Sequence, residues 1–274
     1  MTVIRHLFDS YTRQKMAFSW SGHTSRSFGV SNGVKQGGVL SPILFIVYFD
    51  TLICRLQASG LGCHFGNNFV GALGYADDIT ILAPSIQATN KMLNICEDYA
   101  TEFNVTFNAK KTVAITFGMN RPNEAIFSLN GNFIKCVDQV KHLGSIVNYG
   151  LNDSQDCDYK RSCFLGAINK LQGNFGKMYS HVKVKLFRTY CCAFYGSQLW
   201  NMADKGFLNI CTQWNKGMRK MLGLHYQSHR WLLGPISSQT HISQRFNCKW
   251  LRFFTCILNS TNEKVTTYRS ICQT

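Results

Sequence analysis

The sequence of 274 residues predicts an α+β protein, in which an antiparallel sheet with helices over residues 1–150 precedes an all-helical part. Two short apolar runs, 70–73 and 79–83, flank a pair of acids, a pattern typical of two strands joined by a tight turn. Beyond residue 151, apolar residues recur at helical spacing with basic residues between them. The polar stretch 149–156, rich in Gly, Asn and Asp, is the predicted boundary.

The acid pair belongs to the tetrapeptide Tyr75-Ala76-Asp77-Asp78. A turn holds two such carboxylates side by side, where they repel each other and favour a hard divalent cation such as Mg²⁺. Paired Mg²⁺ ions about 3.5–4 Å apart stabilise the attacking and leaving oxygens of phosphoryl transfer. The alternative is an ordinary surface turn, because Asp is common in turns.

Upstream of this hairpin, residues 33–42 read Gly-Val-Lys-Gln-Gly-Gly-Val-Leu-Ser-Pro. Ser41 and Pro42 predict a helix start, with Ser41 capping free N–H groups and Pro42 at the first helical position. The helix over 43–58 is apolar almost all round at first, which predicts burial. The continuous apolar run is about seven residues, against the roughly twenty that a membrane span needs. The glycines of this loop would let its backbone approach a ligand closely. The alternative is a Gly-rich connector without a binding role.

The remaining elements follow in chain order. Residues 7–11 end a helix, and a hairpin is expected near 16–20 and 27–31. A helix is expected over 85–103, covering one face of the sheet, and Asn130-Gly131 is expected to be a two-residue hairpin turn. The further strands are 112–117, 126–129 and 132–136, and the further helical patterns are about 164–178, 182–200 and 206–222, with a basic-aromatic stretch at 245–254.

The charge distribution is one-sided. The net charge is +15. Residues 1–158 carry 12 Lys or Arg and 12 Asp or Glu, whereas residues 159–274 carry 17 basic residues and two acids, Asp204 and Glu263. Basic residues interleaved with aromatic ones are typical of a surface that grips a phosphate backbone. The alternative is a basic face that serves solubility.

The 12 cysteines form no Cys-x-x-Cys pair, and no N-terminal signal segment is visible. A disulfide framework is therefore not expected, and the protein is expected to be intracellular, in nucleus or cytoplasm, without a membrane partner. Cys191 and Cys192 are interpreted as small buried hydrophobes. His225 and His229 with Cys211 are a candidate zinc site, but their number and spacing do not match a closed four-ligand site, so zinc is not expected.

The Gln-Gly loop, the Ser-Pro helix start and the Tyr-x-Asp-Asp hairpin together resemble the palm of reverse transcriptases. The sequence is most similar to enzymes of non-LTR (LINE-type) retrotransposons. Residues 108–112 (Asn-Ala-Lys-Lys-Thr) resemble the family's segment after the palm helix, and residues 141–144 its primer-grip hairpin. Residues 187–190 and Trp200 resemble its helical thumb. The resemblance implies a partial palm over 1–150, a basic helical thumb over 151–235 and a C-terminal tail over 236–274.

The resemblance also implies roles for individual residues. Asp77 would bridge two Mg²⁺ ions and Asp78 would support them. Gln36, Gly37, Tyr75 and Lys111 would contact the nucleotide and template. Primer contacts would come from Lys141, His142, Leu143 and Gly144. The thumb would bind nucleic acid through basic side chains, namely Lys160, Arg161, Lys170, Lys177, Lys183, Lys185 and Arg188. The implied partners are an RNA template, a DNA primer and deoxynucleoside triphosphates.

The family's first catalytic Asp, on a strand before the Gln-Gly loop, has no counterpart here, since Asp9 is the one acid before residue 33. A site with two carboxylates has lost a ligand and a charge, and the absent strand leaves an open sheet edge and part of the core exposed. The first hypothesis is an RNA-directed DNA polymerase domain that is inactive alone. The others are a non-enzymatic remnant that binds RNA or DNA, and a fragment that does not fold stably.

Overall fold

The computed structural model describes residues 2–30, 33, 37–118 and 126–272. It has small sheets in the first half and mostly helices in the second, which confirms the α+β prediction. The helices are α1 (Thr2–Thr12), α2 (Ser41–Ala58), α3 (Ile86–Glu102), α4 (Ser154–Phe175), α5 (Ser180–Leu186), α6 (Lys205–Leu222), α7 (Leu233–Ser237), α8 (Ile242–Leu258) and α9 (Glu263–Cys272).

The strands are short and pair mostly as antiparallel hairpins. They are β1 (Lys15–Met16), β2 (Ser19–Trp20), β3 (His23–Thr24), β4 (Phe28–Gly29), β5 (His64–Phe65), β6 (Asn68–Phe69), β7 (Ala72–Tyr75), β8 (Asp78–Ile81), β9 (Val113–Ala114), β10 (Phe127–Leu129), β11 (Asn132–Cys136), β12 (Gln139–His142) and β13 (Ser145–Asn148). The pairs are β1–β4, β2–β3, β5–β6, β7–β8, β10–β11 and β12–β13, while β9 adds to β11 in parallel. Asn130 and Gly131 both have positive φ between β10 and β11, which confirms the predicted two-residue turn.

The first core lies between α2, α3 and the β7–β8 hairpin. Tyr99 of α3 is fully buried, and its hydroxyl donates a hydrogen bond to the Tyr48 carbonyl at 2.9 Å. At the helix ends, Arg55 forms a two-bond ion pair with Glu102, at 2.8 and 3.0 Å. Ser85 caps α3 by accepting a hydrogen bond from the Ala88 N–H, so the helix predicted over 85–103 is confirmed.

Two predictions about α2 are wrong. Ser41 is already helical, Leu40 occupies the N-cap position without a side-chain hydrogen bond, and the Ser41 hydroxyl lies 3.4 Å from the Tyr11 hydroxyl. The helix is also not buried all round, because one side of its first half faces solvent. Ile43, Ile46 and Val47 are 58–66% exposed, whereas Phe49, Leu52 and Leu56 pack in the core. By length and composition alone, α2 is the one described helix that could cross a membrane.

The second core joins α4, α6 and α8 around Trp214, which is 1% exposed. The helix predicted over 182–200 is interrupted. After α5 the chain makes a π-helical turn, Phe187–Cys191, and then a loop in which Gly196 has φ +80°. Phe187, Cys191 and Cys192 are all buried. The wider π-helical turn allows the consecutive residues Cys191 and Cys192 both to face the core. From the tail, Ile242 and Phe246 of α8 pack into the same core.

Burial controls the reactivity of the cysteines. It raises the pKa of Cys96 and of Cys157 to about 12, with nearby carboxylates acting in the same direction, whereas Cys163 and Cys256 are exposed. Because the thiolate is the nucleophile, we expect iodoacetamide at pH 8 to label Cys163 and Cys256 before Cys96 and Cys157. Raising the pH to 10 leaves the two buried thiols protonated and unlabelled in the folded chain. Peptide mass spectrometry checks this, and equal labelling of all four without denaturant would contradict it.

Candidate functional site

The acidic turn lies at the tip of the β7–β8 hairpin. Tyr75 and Asp78 form the last residue pair of the ladder, and Ala76 and Asp77 make the turn between them. Ala76 has φ +51°, a left-handed conformation that is uncommon for residues other than glycine and that clusters at functional sites. At the other end of β7, Ala72 is 3% exposed and packs in the first core. The core therefore holds the base of the hairpin and leaves its tip in solvent.

Both carboxylates of the turn are accessible. Asp77 and Asp78 are exposed, and in the described part of the chain no Lys or Arg forms an ion pair with either. Two oxygen donors side by side in solvent suit a hard cation. A third ligand is not at hand, since the described residues contain no group of three or more His, Cys, Asp or Glu that could hold a metal ion. Asp9 is exposed on α1.

The other residues expected near a nucleotide lie on exposed segments. Tyr75 is 65% exposed beside the acids. Gly37 has φ +78° in the loop before α2, with open space around its Cα, while Gln36 lies outside the described residues. Lys111 is exposed in a turn whose shape is fixed by Asn108, which accepts hydrogen bonds from the Lys111 N–H through its carbonyl and its side chain.

A second hairpin, β12–β13, lies against the acidic one. The predicted residues Lys141 and His142 end β12, and Leu143 and Gly144 form its turn with φ of +45° and +81°. The His142 Nε2 atom is 3.3 Å from the Thr80 Oγ1 atom of β8. Thr80 lies two residues after Asp78, so this contact places the end of β12 beside the strand that carries Asp78.

Helix α4 holds the second hairpin from the other side. Lys141 donates a hydrogen bond to the Tyr159 hydroxyl at 2.7 Å, and its ammonium lies 4.7 Å from the centre of that ring. Lysine is protonated at neutral pH, and the hydrogen bond to Tyr159, and then the electrostatic interaction with that phenol, raise the pKa of Lys141 further. Lys160 donates to the Gly144 carbonyl at 2.5 Å and lies 5.7 Å from the Tyr195 ring. The hairpin turn is therefore surrounded by two ammonium groups and two aromatic rings.

A buried carboxylate fixes the same hairpin to the helical half. Asp156 is 3% exposed and accepts hydrogen bonds from the Ile146 N–H at 2.9 Å and the Trp200 indole at 2.8 Å. Ile146 belongs to β13, and Trp200 is buried in the second core. Asp156 therefore joins the hairpin, α4 and the segment after the π-helical turn.

The basic residues expected on the helical half divide into two groups. Arg161 pairs with Asp158 at 3.1 Å, and Lys160 is held as described. Lys183 departs from the expected basic exterior. It is 8% exposed and donates to the Gly176 carbonyl at 3.4 Å, because it lies on the side of α5 that packs toward α4. The remaining predicted side chains are exposed, namely Lys170, Lys177, Lys185 and Arg188.

The structure adds Thr80, Tyr159 and Tyr195 to the residues around the two hairpins, and Asp156 as the residue that positions them. Sequence analysis missed all four, because each acts through a partner that is distant in the chain. One signal was present for Tyr159, since it precedes Lys160 at the start of a helix that directly follows the hairpin.

A family model described as reverse transcriptase (RNA-dependent DNA polymerase) matches residues 2–147. The RNA-directed DNA polymerase from mobile element jockey of Drosophila melanogaster is 26% identical over 202 residues, which cover 70% of this chain and 22% of that protein.

Two retrovirus-related Pol polyproteins are also similar. That of type-1 element R2 of Popillia japonica is 28% identical over 152 residues, 52% of this chain and 24% of the relative. That of type-2 element R2DM of Drosophila melanogaster is 29% identical over 112 residues, 41% of this chain and 10% of the relative. The chain thus spans about a quarter or less of the length of these relatives.

Proposed function

The chain belongs to the reverse transcriptase family, and from that premise we propose that it binds a primer–template duplex as part of a non-LTR retrotransposon RNA-directed DNA polymerase. In this proposal Asp77 and Asp78 are its two metal-binding carboxylates, and the chain does not polymerise by itself. Residues 1–150 act as a partial palm, 151–235 as the thumb and 236–274 as a basic tail.

The observation that carries the proposal is the contact between His142 and Thr80, at 3.3 Å. A polymerase must hold the primer end beside its metal-binding carboxylates, because catalysis of phosphoryl transfer is largely positioning and electrostatics. The contact fixes the β12–β13 hairpin beside β8. Lys141, protonated at neutral pH, supplies a positive charge there for the primer backbone, and the Gly144 turn stays narrow against Tyr195.

The residues present fit Mg²⁺ by donor type, since Asp77 and Asp78 offer exposed carboxylate oxygens that no described cation neutralises. Two bound Mg²⁺ ions would polarise the reacting phosphate and stabilise the charge of the leaving group. Asp77 would bridge them and Asp78 would support them. With two protein carboxylates in place of three, the affinity for the ions is expected to be low.

The open surface beside the acidic turn supports the view that a further segment completes the site. Within the described residues β7 and β8 are hydrogen-bonded in a sheet with each other alone. Ile46 and Val47 of α2 and Leu73 of β7 are 49–66% exposed. Exposed edges and apolar faces of this kind are normally covered. An extended segment that carries a carboxylate would cover both, whether it comes from the same polypeptide or another.

We expect the purified chain to bind a primer–template duplex and to give no Mg²⁺-dependent primer extension on an RNA template. Lys141→Ala is expected to weaken duplex binding by about threefold to tenfold and to reduce the salt slope by about one, since one phosphate contact is lost. Lys135→Ala, an equal charge loss on the exposed β11, is the matched control and should leave binding unchanged.

Each outcome of this experiment is decisive. Primer extension by the wild type that disappears in Asp77→Asn would overturn the claim that the chain is inactive alone. Equal binding by the Lys141 and Lys135 variants would overturn the role of the second hairpin. An unfolded far-UV circular dichroism spectrum of the wild type would favour the hypothesis of an unstable fragment.

A second candidate is a binding protein without catalysis. The charge of residues 159–274, with 17 basic residues and two acids, favours it, because a phosphate backbone needs the cations and not the acid pair. Steep salt dependence of duplex binding that is the same with and without Mg²⁺, and the same in Asp77→Asn, would favour this candidate.

A further inference from the structure

Helix α8 forms one wall of a cleft lined by cations. The cleft has a volume of about 310 Å³ and lies between α8 and Arg188 of the π-helical turn. Its lining residues are Arg188, Thr240, Gln244, Arg245, Cys248, Lys249 and Arg252. Four of these seven are Lys or Arg and none is a carboxylate, although surface cations are normally interspersed with acids.

No carboxylate lines this cleft to neutralise its basic side chains. The Lys249 ammonium donates hydrogen bonds to the carbonyls of Ala193 at 2.7 Å and Phe194 at 3.1 Å, directly after the π-helical turn. Burial, and then the charge of Arg245, lower the pKa of Lys249. Among the described residues, the ion pairs Arg55–Glu102 and Arg161–Asp158 lie elsewhere. The repulsion among these like charges is relieved when an anion enters.

A larger cleft, of about 720 Å³, continues from the first. The two share Thr240 and Gln244, and Arg230 and Trp231 are among the other residues that line the larger one. Trp231 is 69% exposed, although tryptophan is among the side chains most stabilised by burial. An exposed indole beside an arginine offers a stacking surface for a base next to a contact for its phosphate.

We propose that these two clefts form a site for a single strand of RNA or DNA. Its phosphates lie along Arg188, Arg245 and Arg252, and one base stacks on Trp231. This site goes beyond the proposed duplex binding, because apart from Arg188 its residues lie on α8 and the segment before it, and none belongs to the two hairpins. It does not depend on a complete polymerase site.

The shape and lining of the clefts favour a nucleic-acid strand over other polyanions. A membrane surface is flat and meets cations that project outward, whereas the Lys249 ammonium is held inside the cleft on backbone carbonyls. An acidic peptide would use the cations and leave the exposed Trp231 ring unoccupied. A strand of nucleotides uses both at alternating positions along one track.

The test is the binding of the full chain to a fluorescent 12-nucleotide single strand, followed by anisotropy at several salt concentrations. In Arg245→Gln/Arg252→Gln, two phosphate contacts are lost, so the slope of log K against log salt should fall by about 1.4. The control Lys91→Gln/Lys135→Gln removes two exposed cations elsewhere and should keep the wild-type slope. Trp231→Ala should weaken binding by about tenfold with an unchanged slope, because stacking is not screened by salt.

Several results would overturn the proposal. One is an equal slope for the two double variants. Another is displacement of the strand by polyglutamate or by phosphatidylserine vesicles at equal charge concentration, which would show a general polyanion surface. Should the Arg245/Arg252 variant unfold, photocrosslinking of a 4-thiouridine strand to the wild-type chain decides. Crosslinks in residues 230–252 support the site, and crosslinks confined to residues 75–160 would instead support duplex binding at the hairpins and overturn this site.

Discussion

Replacing Asp156 with alanine is expected to lower the free energy of unfolding by about 3 kcal/mol. The substitution removes the acceptor of the Trp200 indole, which is buried, and of the Ile146 N–H, which is partly buried. An unsatisfied buried donor costs about 1–3 kcal/mol, and the loss of both hydrogen bonds together accounts for the expected change. Urea denaturation followed by far-UV circular dichroism measures the change.

The neighbouring acid on the same helix provides the control. Asp158 is exposed and pairs with Arg161, so Asp158→Ala is expected to change the stability by less than about 1 kcal/mol. Asp156→Asn keeps one acceptor oxygen and should fall between the two. If the alanine variants at 156 and 158 were equally stable, Asp156 would not join the hairpin to the helical half.

Gly71→Ala is expected to destabilise the chain by about 3 kcal/mol and to displace the acidic turn. A methyl group on Gly71 would lie 2.5 Å from the Gly62 Cα and 2.6 Å from the Phe69 ring. Since the first neighbour is backbone, relief requires a movement of the strands, and overpacking of this kind costs about 1–3 kcal/mol or more. Gly71 directly precedes β7, so a shift there is transmitted to Asp77 and Asp78.

The same substitution at Gly166 should have the opposite effect. Gly166 is inside α4, has no atom within 4 Å of an added methyl group, and does not need a positive φ. Alanine there favours the helix by about 0.5–1 kcal/mol. Thermal unfolding should show a lower melting temperature than the wild type for Gly71→Ala and a higher one for Gly166→Ala. A Gly71→Ala protein as stable as the wild type would show that the two backbones do not touch in solution.

The elements set by local sequence were predictable. The Asp77-Asp78 turn, the Asn130-Gly131 turn and the helix that starts at Ser85 depend on residues a few positions apart, and the structure has all three. Turn chemistry and capping act over such distances, so one sequence suffices to recognise them.

The features that depend on distant partners were not predictable. The apolar pattern of α2 gives no sign of which side remains uncovered, and the exposure of Ile46 and Val47 appears only in the assembled structure. Lys183 has the same local pattern as Lys185, yet one is buried and the other exposed, because the packing of α5 on its neighbours decides between them. The contact of His142 with Thr80 joins residues 62 positions apart. The sequence around either residue does not indicate which residue it contacts.

The second hairpin has a mechanical consequence. It is fastened to α4 and the helical core by Asp156 and Lys160, and to the acidic strand by His142. In the proposed complex with a duplex, a tilt of the helical half would therefore move the hairpin with it, and Thr80 with the hairpin. The proposed primer contacts of this hairpin and the position of the two carboxylates would then change together, and loss of either connection would uncouple them.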